Sequence, residues 1–295
     1  MRRQILAGAL LLLTGCSVRR FAINRVADAL SSGGSAYETD DDIALVGEAL
    51  PFSLKLIESL LAETPKHKGL LTTACQGFAT YAYVYVQHPA DVAAVDDLEK
   101  ADALRRRARR LYMRAHEFGR RGLLAAAPGG DLGKIRKADV PLLYWNAVAL
   151  GLAISTAKTD AAMLARLPEV DALLDRAIEL DREWKEGTLQ ELQITLAASK
   201  PDRPELRKIE ELYRSALSLS GGKRASLFVT FAESHSIPKQ DRRTFEENLR
   251  KALDIDPNKD MSIRLANLVS QRRAAWLLER TDDLILPLPE ETTTK

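Results

Sequence analysis

Four histidines, two cysteines and 41 carboxylates are the groups through which this 295-residue chain could move a proton, attack a substrate or hold a metal. Zinc hydrolases place two histidines one helical turn apart around a glutamate, because that spacing puts both imidazoles on one face beside a general base. His116-Glu117 has no second histidine four residues on, and His67, His88 and His235 stand in no ligand pattern. All four read as structural. Cys75 sits among Ala74, Phe78 and Ala79 on an apolar stretch, the setting of a buried inert thiol rather than an activated nucleophile. No G-x-S-x-G elbow and no supported S-x-x-K pair supplies a serine nucleophile. In "PGGDLGK", Pro128 to Lys134, the glycines lack P-loop spacing and no Ser or Thr follows the lysine, so a nucleotide reading is weak. The residues give no catalytic set, no metal site and no cofactor motif, which points away from an enzyme.

Binding chemistry is better represented. Tyr81 and Tyr85 are four apart and share a helix face, while Tyr83 points elsewhere. Tyr144-Trp145-Asn146 is a second polar-tipped aromatic group. Each fits either core packing or the lining of a pocket for a small organic ligand, since Tyr and Trp join an apolar body to a polar handle. Eight arginines between Arg105 and Arg121 form a basic stretch, with Asp96, Asp97, Glu99 and Asp102 upstream. A solvated, salt-bridged face is the expectation there rather than a nucleic-acid surface, because the chain as a whole is close to neutral.

The other cysteine belongs to different chemistry. Arg2 and Arg3 precede an apolar run from Ile5 to Leu13, which ends in Leu12-Leu13-Thr14-Gly15-Cys16. A basic start, an apolar core of roughly ten residues and small residues at the end describe a signal peptide over 1–15, too short for a membrane-spanning helix. The ending resembles the bacterial lipobox, in which the cysteine is acylated and becomes the new N-terminus. Cys16 is then the lipidation site, 16–36 a lipidated start and flexible tether, and Cys75 the remaining thiol. Ser17 is not acidic, which favours the outer membrane over the inner one, on the periplasmic side. Loss of Arg2 and Arg3 takes Lys plus Arg from 43 to 41, equal to the 41 Asp plus Glu.

The elements that must position these groups are helices throughout. Alanine, leucine, arginine and glutamate dominate, and apolar residues recur at three- and four-residue intervals. The spacing predicts one helix from about 68 to 87, stopped by His88-Pro89, and a long one from about 91 to 124. Its stripe is Leu104, Ala108, Leu111, Ala115, Phe118 and Gly122. "RAIELD" at Arg176, "RSALSLS" at Arg214 and "KALDIDP" at Lys251 repeat a helix ending, with Ala177, Ala216 and Ala252 at intervals of 39 and 36 residues. Those periods are somewhat longer than the tetratricopeptide period of about 34 residues. The expected fold is all-α: irregular tetratricopeptide-like helical hairpins stacked as a solenoid-like single domain over 37–286, with a tail over 287–295.

The blocks "EALPFSLKLIESLLAETP" (Glu48 to Pro65), "FATYAYVYVQ" (Phe78 to Gln87), "RARRLYMRAHEFGRRGL" (Arg107 to Leu123), "LLYWNAVALGLAIS" (Leu142 to Ser155), "LPEVDALLDRAIELD" (Leu167 to Asp181) and "RLANLVSQRRAAWLLERTDDLIL" (Arg264 to Leu286), in this order, resemble the T-component of tripartite ATP-independent periplasmic (TRAP) transporters. The resemblance implies an exported lipoprotein that assembles as a homotrimer around a hollow and pairs with a periplasmic solute-binding protein. It further implies passage of a small hydrophobic or amphipathic organic acid through a pore. Candidate ligand or pore-lining residues inside or beside the matching blocks are Tyr81, Tyr85, Tyr144, Trp145, Asn146, Arg272 and Trp276. The alternative at this point is a structural adaptor lipoprotein in envelope assembly, whose repeats hold only protein segments.

Overall fold

The computed structural model describes residues 23–31, 35–157, 159–199 and 205–286. The signal peptide, Cys16 and the tail lie outside them. Every regular element among the described residues is helical, and no strand occurs there. Where the sequence reads one domain, packing divides the chain into two compact units. Of the described residues, those up to 36 and from 44 to 180 make the first, and those from 37 to 43 and from 181 to 286 the second.

In the first unit, α1 (23–31) begins only seven residues after Cys16, inside the stretch read as a tether. Its Ala27 is fully buried and Leu30 packs beside it against a core of Leu54, Leu61, Leu71, Cys75 and Phe78. α2 (Ile43–Glu63) supplies Leu54, Ile57 and Leu61 from one apolar face. α3 (Lys68–Ala82) starts at His67, whose Nδ1 accepts the Leu70 N–H and whose Nε2 faces Asp28 of α1 at 3.1 Å. An imidazole can cap a helix this way only while Nδ1 is unprotonated.

His88-Pro89 does not stop α3. The chain passes through a π-turn, Tyr83–Gln87, and continues as α4 (His88–Ala93), with the His88 N–H bonded to the Tyr83 carbonyl. A proline inside a helix lacks an N–H and crowds the carbonyl four residues back; the widened turn just before Pro89 accommodates both defects. The break expected at 88 comes instead at 94–97. There Asp97 caps α5 (Leu98–Ala126) by accepting the Lys100 N–H at 2.9 Å.

The α5 stripe is buried at Ala108, Ala115, Phe118 and Gly122, with Leu104 and Leu111 half-buried. The residue that sets its approach to the next helix is Gly119. A Cβ built there would lie 2.6 Å from Asn146 Oδ1, so only glycine lets α6 (Val140–Ser155) come this close. The segment Lys137–Ser155 is long and apolar enough to cross a membrane by length and composition, but half of it is buried inside this unit, against α3, α5 and α7 (Leu167–Leu180). It is a core helix. Between α5 and α6 the loop read from sequence contains two short 3-10 turns.

The second unit contains α8 (Thr188–Ala198), α9 (Leu206–Ser220), α10 (Ala225–Phe231), α11 (Arg242–Leu253) and α12 (Arg264–Glu279). Here α10 runs into a π-turn, Ala232–Ser236, two residues before Pro238, and Asp241 then caps α11 through the Thr244 N–H. The first unit has the same order of π-turn, proline and Asp-capped helix. The repeated small residues Ala177, Ala216 and Ala252 are all buried. At Ala216 the crossing is close enough that Gly187, at φ 94°, lies against its carbonyl, where a Cβ would come within 2.9 Å.

Candidate functional site

Tyr81 and Tyr85 are brought together as their spacing requires, ring centroids 5.5 Å apart. Both are half-buried, and Tyr85 lies over Gly47 of α2, where a Cβ would meet its ring at 2.4 Å. Tyr83 turns outward, 38% exposed. Arg107 of α5 reaches this pair: its Nη2 is 3.5 Å from Tyr81 Oη and its guanidinium stands 5.9 Å from the ring centroid. The π-turn ends in Gln87, whose Oε1 accepts a hydrogen bond from buried Tyr112 of α5. Burial raises the Tyr112 phenol well above its ordinary range, which keeps it a donor. Two aromatic faces beside a guanidinium form a surface suited to an amphipathic carboxylate: rings for its apolar body, cation for its head.

Tyr144 and Trp145 meet edge to face at 5.1 Å, and Trp145 packs onto the core around Phe78. Asn146 is different. It is 1% exposed and its Oδ1 accepts from His116 Nδ1 at 2.7 Å, while His116 Nε2 accepts from Arg166 Nη2 at 2.7 Å. One neutral tautomer serves both contacts. Burial pushes the His116 pKa down, Arg166 adds to that, and the Asn146 bond and Glu169 oppose it. Asn146 therefore holds α5 to α6 in the core. The histidine reading from sequence agrees with this placement.

Arg272 and Trp276 belong to the second unit and the other five candidates to the first. Arg272 is exposed. Trp276 lies between two guanidinium groups, Arg273 at 4.5 Å and Arg280 at 5.2 Å from its centroid. Arg273 is held in turn by Glu233 of the π-turn, Nη2 to Oε1 2.6 Å. On another side of the same turn, buried His235 pairs through Nε2 with Glu210 at 2.9 Å and stacks on Phe231, which stacks on Tyr213. Tyr213 donates to Asn248 Oδ1, and burial raises its pKa to about 12. His235 Nδ1 and Ser236 Oγ are buried without a hydrogen-bond partner.

Sequence reasoning missed Arg107 as the cation of the aromatic pair and missed Glu233, and it read His235 only as a structural histidine. For Glu233 and His235 the available signal is a proline in mid-helix six residues after the start of "AESHSIP", as in "YVYVQHP" of the first unit; nothing comparable marks Arg107. Elsewhere the arginine stretch is salt-bridged as expected: Arg105 to Asp102, Arg114 to Glu58 and Arg120 to Glu117. Arg106 and Arg110 have no ion partner among the described residues. No group of three or more His, Cys, Asp or Glu side chains that could hold a metal occurs among those residues.

A family model described as TRAP transporter T-component matches residues 39–285, spanning most of both units. A protein of Treponema pallidum (strain Nichols), described as uncharacterized, is 26% identical over 306 aligned positions that cover 94% of this chain and 95% of the relative.

Proposed function

The chain belongs to the TRAP transporter T-component family, and from that premise we propose that it is the lipid-anchored periplasmic accessory of a TRAP-type transport system. In this reading it docks a solute-binding protein and passes a small amphipathic organic acid between that protein and a pore of its own trimer. The family is one of transport components rather than enzymes, which accords with a sequence lacking a catalytic set. The observation that carries the ligand class is the half-buried Tyr81 and Tyr85 pair beside Arg107. A hydrophobic acid satisfies both the rings and the cation, whereas a sugar would leave the guanidinium without a counter-charge.

Two measurements test this. Affinity capture from native envelopes should recover a solute-binding protein, and recovery of envelope-assembly factors in its place would replace transport with an adaptor role. Mass spectrometry of small molecules retained by the purified protein should find a carboxylate, whose retention falls at least tenfold in Arg107→Ala; an uncharged ligand would overturn the assignment of the site. Anchoring is tested apart from both, because after a high-salt wash Cys16→Ser should leave the protein in the soluble fraction while the parent stays with the membrane.

A further inference from the structure

The turn between α2 and α3 collects contacts from three other segments at one end of the first unit. His67 meets Asp28 of α1, the Arg121 Nη2 of α5 donates to the Pro65 carbonyl at 3.2 Å, and Lys68 Nζ reaches Asp139 Oδ1, just before α6, at 2.7 Å. That end is rich in cations although the mature chain is formally neutral. Lys66, Lys68, Arg136 and Lys137 are exposed there, with Arg121 half-buried among them. Lys66 and Arg136 make no ion pair among the described residues. Leu124, 40% exposed on the last turn of α5, adds apolar surface at the same end.

Chain length ties this end to the lipid. If residues 16–36 were all free tether, twenty residues would let the unit stand up to about 70 Å away in any orientation. Because α1 is helical from residue 23 and docked through Ala27, only seven residue steps separate Cys16 from the folded unit, at most about 25 Å. A unit of this size is about 40 Å across. Its α1 end therefore faces the membrane and its opposite end cannot.

We propose that the basic end of the first unit, centred on Lys66, Arg136 and Lys137, docks onto the anionic phospholipid headgroups of the membrane that holds Cys16. This rests on the reading of Cys16 as the lipidated residue. Lysine and arginine side chains near an anionic leaflet each strengthen binding about fivefold, and a second weak attachment beside an acyl anchor fixes orientation as well as location.

The mature full-length chain carrying Cys16→Ser, which has no acyl group, is mixed with vesicles of phosphatidylcholine alone or with 40% phosphatidylglycerol, and its partition is measured by sedimentation. The expected result is salt-sensitive binding to the anionic vesicles only, weakened by roughly 25-fold or more in Lys66→Gln/Arg136→Gln/Lys137→Gln. The control Arg106→Gln/Arg110→Gln removes two unpaired cations from the other part of α5 and should leave partition unchanged. Equal partition into both vesicle types, no binding to either, or loss in the control with retention in the triple variant would each overturn the proposal. Because this chain carries no lipid, its partition is independent of whether Cys16 is acylated in the cell, which the membrane-release experiment decides separately.

Discussion

Gly119→Ala sets two effects of opposite sign against each other. On helix propensity alone, alanine inside α5 should stabilise by about 1 kcal/mol. The structure says otherwise, because the new Cβ would lie 2.6, 2.7 and 2.8 Å from Asn146 Oδ1, Cγ and Cβ. Asn146 cannot swing aside without giving up its bond to His116 Nδ1, leaving a buried N–H unpaired at a cost of about 1–3 kcal/mol. If it stays, α5 and α6 must separate, and overpacking of that kind costs about 1–3 kcal/mol. Either cost, about 2 kcal/mol at mid-range, exceeds the propensity gain, so net destabilisation should be about 1 kcal/mol, or a fall in Tm of about 2–4 °C. Urea unfolding followed by circular dichroism measures it. The sharper readout is Gly119→Ala/Asn146→Ala. Asn146→Ala removes two of the three clashing atoms and keeps the Cβ at 2.8 Å, so the double variant should lose less than the sum of the two single losses, a coupling of about 1 kcal/mol. A stabilised Gly119→Ala, or additive losses, would refute the reasoning.

Three further outcomes follow from named contacts. The pKa of His116 is depressed in the folded chain, so as pH falls through about 6.5 the unfolded chain takes up a proton that the folded one refuses. Stability contributed by neutral His116 is fully present above that pH and declines below it, by at most about 1.4 kcal/mol per unit, until the folded pKa is reached; urea midpoints at pH 7.5 and 5.5 should differ less in His116→Gln than in the parent. The Cys75 thiol is fully buried and its pKa is driven up by burial, so a thiol reagent at pH 8 should label it only after unfolding. Arg273→Ala leaves the half-buried Glu233 carboxylate without its guanidinium and Trp276 without one of its two cations; a loss of about 1–2 kcal/mol and a shift in tryptophan emission should accompany it.

Much of the fold is legible in the residues because the α5 stripe and the repeated alanines are local patterns that helix geometry turns directly into buried faces. What the sequence hides are features decided by a neighbour. His88-Pro89 reads as a stop, since local rules count the missing N–H but cannot see a π-turn absorb it. The stretch before residue 36 reads as tether because α1 has only a few apolar residues, and Ala27 becomes core only when α2 and α3 surround it. Of the site, Tyr81 and Tyr85 follow from spacing, while Arg107 is one of eight similar arginines until α5 is laid against α3. Asn146 looks like part of an aromatic lining and is instead a core bond, because its partner stands 30 residues away.

The two π-turns act as phase shifters. Each carries one more residue than an α-turn would, so every side chain after it is rotated by about 100° from where an uninterrupted helix would point it. Counting by fours across Gln87 or Ser236 therefore lands on the wrong face. A single-residue deletion at either turn would restore an unbroken α register while turning Pro89 or Pro238, and the helix segment beyond it, away from its present neighbours. In alignments of related chains, one-residue gaps should thus cluster at these two places, and where they do, the faces offered by the flanking helices will differ even though the residues match.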